Sequence, residues 1–282
     1  MRIGIQRPIL SILSVIVLYT GYSQPTLGAS ALWGANSGLG ASLSVGQIDP
    51  ITGRVLAYRT IPGEMSRSGV RDFASDPLRN PSVVWSLSST DPYGDGLLSF
   101  DPHRGLVLSN VPLDESLELQ GLAIDPTTGH FYATSSDSLY RIDPDNGQAT
   151  RIGATSLRVD EALAFDLNGY LFGVSRFGSY PADLVLVNKA TGQTTKIANL
   201  EVRPLDMAVD PDDGEMFGLG FVNDPMTSYS LYRINLGTGA ATIIGPSLFR
   251  PAGLAFTIIP EPATGALTIL AAIALLNFRR VT

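Results

Sequence analysis

Between residues 32 and 258 the apolar positions come in short runs separated by polar turns, with no stretch at helical period long enough to compete. Two motifs alternate. One is an apolar strand ending in Asp or Asn, then a turn, then Gly: Val45–Gly53, Leu97–Gly105, Leu139–Gly147, Leu184–Gly192 and Leu231–Gly239. Its Asp/Asn positions are 49, 101, 143, 188 and 235, at intervals of 52, 42, 45 and 47 residues. The other is a small-residue strand of the form Gly-Leu-Ala-Phe-Asp, found at 72–76, 121–125, 162–166, 206–210 and 253–257. A period in the tens of residues predicts a repeat architecture.

Each repeat resolves into four strands, A to D. In the third copy these are Ala162–Phe165, Tyr170–Val174, Leu184–Val187 and Thr194–Ile197. Tight hairpins suit A–B and C–D: Asp or Asn caps the turn, Pro presets φ and Gly takes the left-handed position. Small residues in strand A fit the crowded centre of a propeller. The segment Leu32–Asn36 matches strand B, and the last repeat supplies only strand A, Gly253–Phe256. One blade is therefore shared between the two ends, which closes the ring and removes its open edges. The expectation is an all-β, five-bladed β-propeller with four-stranded blades over residues 32–258. A sandwich or barrel would need no such permutation.

The flanks read as addresses. Arg2 and Arg7 precede an apolar stretch, Ile9–Tyr19, followed by small residues, which predicts a signal peptide over 1–23 with cleavage after Ser23 or Ala31. An anchoring helix is the alternative. At the other end Pro260-Glu261-Pro262 is followed by 12 apolar or small residues, Gly265–Leu276, and then by Arg279-Arg280. This order resembles the PEP-CTERM sorting tail of Gram-negative bacteria. The resemblance implies processing near Pro260, Glu261 and Pro262 by an exosortase, an integral-membrane protease. The run is shorter than the ~20 residues of a stable span, so it suits transient membrane contact with Arg279 and Arg280 kept cytoplasmic. A plain anchor is the alternative over 259–282. The repeats themselves resemble the propeller domains that accompany such tails, and NHL-like and lactonase-like propellers more widely.

Composition narrows the chemistry. There is no Cys and there are two His among 282 residues, which excludes thiol catalysis and leaves histidine metal sites and Ser-His-Asp triads poorly supplied. The net charge is −7; without Arg2, Arg7, Arg279, Arg280 and Glu261 it becomes −10, from 15 basic and 25 acidic residues. Such a surface repels nucleic acid. The Asp-rich turns at 143–147 and 210–214 lack the spaced ligand set of a calcium loop and read as hairpin turns. No phosphate loop, nucleophile elbow or dinucleotide fingerprint occurs.

Two regions remain as candidate binding sites. Aligning the inner strands places Arg71, Asp72, Gln120, Glu161 and Asp206 nearest the axis at the channel mouth. Carboxylates there could hold a divalent cation such as calcium or do acid–base work; an internal Arg71–Asp72–Glu161 charge network is the simpler account. No cofactor is otherwise expected. The B–C loops carry Tyr93, Phe177, Tyr180, Phe221 and Tyr229, suited to sugar or protein contacts or to packing their own loops. The expected function is non-catalytic: an exported binding or scaffold propeller at the cell surface or in the extracellular matrix, meeting exopolysaccharide or surface proteins. The alternatives are an enzyme of lactonase or lyase type using Glu161, Asp72 and Asp206, and a structural surface-layer component.

Overall fold

A computed structural model describes residues 29–36, 43–61, 69–90, 94–114, 117–175, 182–222, 229–246 and 251–259. The expected signal peptide and the tail residues Pro260, Glu261, Pro262, Arg279 and Arg280 lie outside them. Twenty strands form five antiparallel four-stranded sheets, the blades of a propeller. Blade 1 joins both ends of the chain: β20 (Pro251–Ile258) pairs with β1 (Ser30–Asn36), followed by β2 (Ser44–Ile48) and β3 (Val55–Thr60). Blade 2 holds β4 (Gly69–Asp76), β5 (Asn80–Thr90), β6 (Gly94–Asp101) and β7 (Leu106–Pro112). Blade 3 holds β8 (Gly121–Ile124), β9 (Phe131–Thr134), β10 (Ser138–Ile142) and β11 (Ala149–Ala154). Blade 4 is β12 (Val159–Phe165), β13 (Leu171–Ser175), β14 (Ala182–Val187) and β15 (Thr194–Leu200). Blade 5 is β16 (Arg203–Val209), β17 (Met216–Phe221), β18 (Tyr229–Ile234) and β19 (Ala241–Pro246).

The inner strands β20, β4, β8, β12 and β16 touch in ring order, so the repeats close on themselves as the motif spacing predicts. Strands run longer than their motif cores: β15 reaches Leu200 because a bulge between Leu184 and Val185 lets pairing with β14 continue. The turns follow their chemistry. Asp49 Oδ1 accepts the Ile51 amide at 2.9 Å and Oδ2 the Thr52 hydroxyl at 2.6 Å, while Gly53 sits at φ +70°. Each C–D turn glycine also packs on the outer strand of the preceding blade: Gly53 on Gly245, Gly105 on Thr60, Gly147 on Pro112, Gly192 on Gly153 and Gly239 on Asn199. A side chain at Gly53 would meet the Gly245 backbone at 3.2 Å, tighter than ordinary van der Waals contact. Aromatic pairs bridge the seams edge to face, Trp85–Phe131, Tyr132–Phe165 and Phe217–Phe256, with ring centres 5.0–5.5 Å apart. Such pairs add about 0.5–1.5 kcal/mol each beyond the area they bury.

Candidate functional site

Each inner strand pairs on one side only and turns its other edge to the axis, so its inward N–H groups need acceptors. Phe73, Leu122, Leu163, Met207 and Leu254 occupy the equivalent positions of the five inner strands. Two aspartates satisfy four of these amides. Asp206 Oδ2 accepts from Phe73 N at 2.9 Å and from Leu254 N, and Oδ1 accepts from Met207 N at 2.6 Å. Asp72 Oδ2 accepts from Leu122 N at 2.7 Å, and Oδ1 from Phe73 N at 3.2 Å. Since β20 lies between β16 and β4, the Asp206 carboxyl crosses the axis to reach Phe73. It ties three blades at one point.

The local backbone explains the arrangement. Asp72 is the extra residue of a bulge, since Arg71 pairs with Leu87 and Phe73 with Ser86. Its φ is +54°, in the left-handed region that Asp tolerates better than most residues. The two carboxyls are 4% and 0% exposed and hydrogen-bond to each other, so one of them carries the proton. Burial, and then the neighbouring Asp206 charge, raise Asp72 well above the usual carboxylate range. Burial also lifts Asp206, to about 7, against the pull of the hydrogen bonds it accepts from Asp72 and the three amides. Asp206 accepts three amides and Asp72 two, which favours the proton on Asp72.

Of the residues expected at the mouth, the structure brings Asp72 and Asp206 together and leaves Arg71 outside the pair. Arg71 is exposed, and its guanidinium reaches the Leu119 carbonyl at 3.5 Å. The charge network expected for Asp72 is replaced by its contact with Asp206, because the bulge turns Asp72 inward. The Gln120 backbone N–H donates to the Thr134 carbonyl at 2.8 Å. Glu161 lies on β12, with its side chain outside the described residues. Among the described residues no group of three or more His, Asp or Glu side chains is placed to hold a metal ion.

Below the pair the axis is an apolar tunnel of about 100 Å³, lined by Leu122, Leu163, Met207 and Leu254 and opening between Pro77, Pro126, Leu167 and Pro211. That is well under the ~300 Å³ at which ligand pockets begin. On the opposite face, Phe221 and Tyr229 are a cross-strand pair at the end of β17 and β18, not free loop residues. Their rings lie 4.6 Å apart, with the Arg203 guanidinium 5.5 Å from the Phe221 ring. Tyr93, Phe177 and Tyr180 lie outside the described residues.

The sequence alone does not single out two further polar clusters. Lys189 Nζ meets the buried Asp125 at 2.6 Å across the blade 3–4 seam. Burial would raise Asp125, yet the Lys189 ammonium and the Thr127 hydroxyl hold it at about 2. Thr257 accepts the Trp33 indole N–H at 3.0 Å and meets His103 Nε2 at 2.9 Å. The signal for both was a departure from the repeat: Lys189 stands where three of the other four copies have Pro, and Thr257 where they all have Asp.

No protein-family model matches the chain, and none of the curated proteins matches its sequence. Solved structures similar to it include TolB from Acinetobacter baumannii, at 14% identity and a TM-score of 0.47, covering 82% of this chain and 66% of that one. Another is a putative 6-phosphogluconolactonase from Bacteroides uniformis, at 16% identity and a TM-score of 0.41, covering 80% of this chain and 71% of that one. This chain thus spans just under two thirds of the TolB chain.

Proposed function

We propose that this is an exported propeller acting as a non-catalytic binding or scaffold module at the cell surface or in the extracellular matrix. The observation that carries the reading is the state of the axial carboxyls. An acid–base pair must meet its substrate, whereas Asp72 and Asp206 are buried and engaged with four backbone amides and each other. They hold the ring together. Its rigidity in turn suits a platform that presents loops.

The tail supports export and sorting. Pro260-Glu261-Pro262, the apolar run and Arg279-Arg280 resemble the tripartite signal that an exosortase-type protease reads, and the exopolysaccharide production that often accompanies such systems favours a matrix role. No helix among the described residues is long and apolar enough to cross a membrane. Two experiments test the reading. Mass spectrometry of the protein recovered from a host with an exosortase should place the new C-terminus near Pro260, and Glu261→Ala should abolish that cleavage. Incubating the full chain with a panel of lactones should give no turnover; turnover lost in Asp206→Asn would overturn the non-catalytic assignment.

A further inference from the structure

The repeats allow one blade to be compared with its neighbours, position by position. In blade 3 the pairing row runs Ala123, Tyr132, Arg141, Thr150, and in blade 5 it runs Ala208, Phe217, Arg233, Thr242. In blade 4 it runs Ala164, Phe172, Leu186, Thr195. Blade 4 lacks the strand-C arginine of its two neighbours, as do blades 1 and 2, which have Gln47 and Ser99 at that row. In its neighbours that arginine is tethered to the residue just after the A–B turn: Arg141 to His130 at 2.7 Å, and Arg233 to Glu215 at 2.8 Å, with Arg233 also lying 5.5 Å from the Phe217 ring. Blade 4 has Tyr170 at that place, 59% exposed.

A groove of about 490 Å³ lies beside Tyr170, floored by Leu186 and walled by Asn168, Gln193 and Thr195. This volume falls within the range of small-ligand sites. The Tyr170 hydroxyl, the Gln193 amide and the Thr195 hydroxyl are solvent-facing and make no side-chain hydrogen bond among the described residues. They offer donors and acceptors beside an aromatic face. The one cation on the wall, Lys189, is engaged by Asp125 at 2.6 Å and by the Gly169 carbonyl at 3.1 Å, so the groove presents no free charge to a ligand.

We propose that this groove binds neutral sugar units of a glycan chain, with Tyr170 stacking on a sugar face and Gln193 and Thr195 bonding its hydroxyls. An aromatic plate with uncharged amide and hydroxyl partners suits a ring that is apolar on its faces and polar at its edge. Anionic sugars gain nothing there, because Lys189 is already paired. The proposal deepens the binding reading above and moves the ligand from the loop face to the flank of blade 4.

The test is calorimetric titration of the purified full chain in detergent with neutral hexasaccharides: cello-, malto-, laminari- and N-acetylchitohexaose. Hexagalacturonate serves as the anionic probe. We expect at least one neutral probe to bind, and Tyr170→Ala to weaken it about tenfold or more, as loss of one stacking partner does. Leu186→Arg should abolish binding by placing on the groove floor the long side chain that Arg141 and Arg233 have at the same row of blades 3 and 5. Both variants should melt like the wild type, Leu186→Arg because the fold already accepts arginine at that row. Should Leu186→Arg misfold, Tyr170→Ala at an exposed site decides alone. Binding that survives Tyr170→Ala would overturn the groove while leaving a binding module intact. Binding of hexagalacturonate alone, or of none of the probes, would overturn the ligand class; whether the chain binds other proteins is read separately, by cross-linking at the cell surface.

Discussion

Blade 4 and blade 1 have the same four-stranded topology but are assembled differently. In blade 4 one continuous stretch supplies all strands, and Asp166 caps the A–B hairpin by accepting the amides of Asn168 at 3.0 Å and Tyr170 at 2.7 Å. In blade 1 strands A and B come from opposite ends of the chain, and no covalent turn joins them. Thr257 replaces the capping Asp there and binds Trp33 of its own blade and His103 of the next. Ser82 of blade 2 donates to the Ile258 carbonyl at 2.9 Å, and Asp206 of blade 5 holds the Leu254 amide. Where the hairpin is missing, side chains from both flanking blades supply the restraint. Ring closure is a tertiary event, distributed over several residues.

Perturbing the closure contacts and an ordinary turn side by side tests this contrast. The largest effect is expected for Asp206→Ala, which strips acceptors from amides of three blades and leaves Asp72 without its partner. Leaving buried amides without an acceptor costs about 1–3 kcal/mol each, so a loss of several kcal/mol is expected, to be measured by urea denaturation. A loss below about 1 kcal/mol would show that closure does not depend on the axial carboxyl.

Next comes pH. Asp72 and Asp206 both have folded pKa values raised above 3.8, Asp206 to about 7. Their contribution is full below the unfolded value and is lost as pH rises through the folded one. The melting temperature should therefore fall between about pH 6.5 and pH 8. That window lies above the range in which His103 and His130, both lowered by burial, act in the opposite sense. Asp206→Asn should flatten the slope. Asp125, held at about 2, acts in the opposite sense but only below pH 4, outside that window. A flat wild-type profile would show that the two carboxyls share no proton.

The smallest effects come from single caps. Thr257→Val leaves the buried indole N–H of Trp33 without its acceptor, a loss of about 1–3 kcal/mol. Asp166→Ala removes an exposed cap from a hairpin that the chain itself holds, about 1 kcal/mol. Equal losses, measured by thermal melting, would erase the distinction between the closing blade and the others.

The ring was readable because every turn repeats its own chemistry: Asp49, Asp101, Asp143, Asn188 and Asn235 all cap before a glycine. The shared blade was readable because the first repeat lacks strand A and the last has nothing else. The axial pair was half legible. Asp72 and Asp206 stand where other inner strands have Gly121, Ala162 and Gly253, which marks them as unusual. That Asp72 turns inward to Asp206 depends on a bulge, which no local pattern announces. Phe221 and Tyr229 were assigned to a loop because strand ends are set by pairing partners and not by composition. The blade 4 groove was hidden for a related reason: Leu186 is unremarkable until register places it opposite Phe172 and beside Thr195.

The Ile259 amide donates to the Ala29 carbonyl at 3.0 Å, so the polypeptide enters and leaves the ring at one spot, on the face of the A–B turns. A tether attached through either flank would grip the disc at the same point on its underside. A propeller held that way would have its loop-bearing face turned away from the tether and the flank of blade 4 open at the side. Orientation is then set by the closing hydrogen bonds of blade 1, independent of which end is retained.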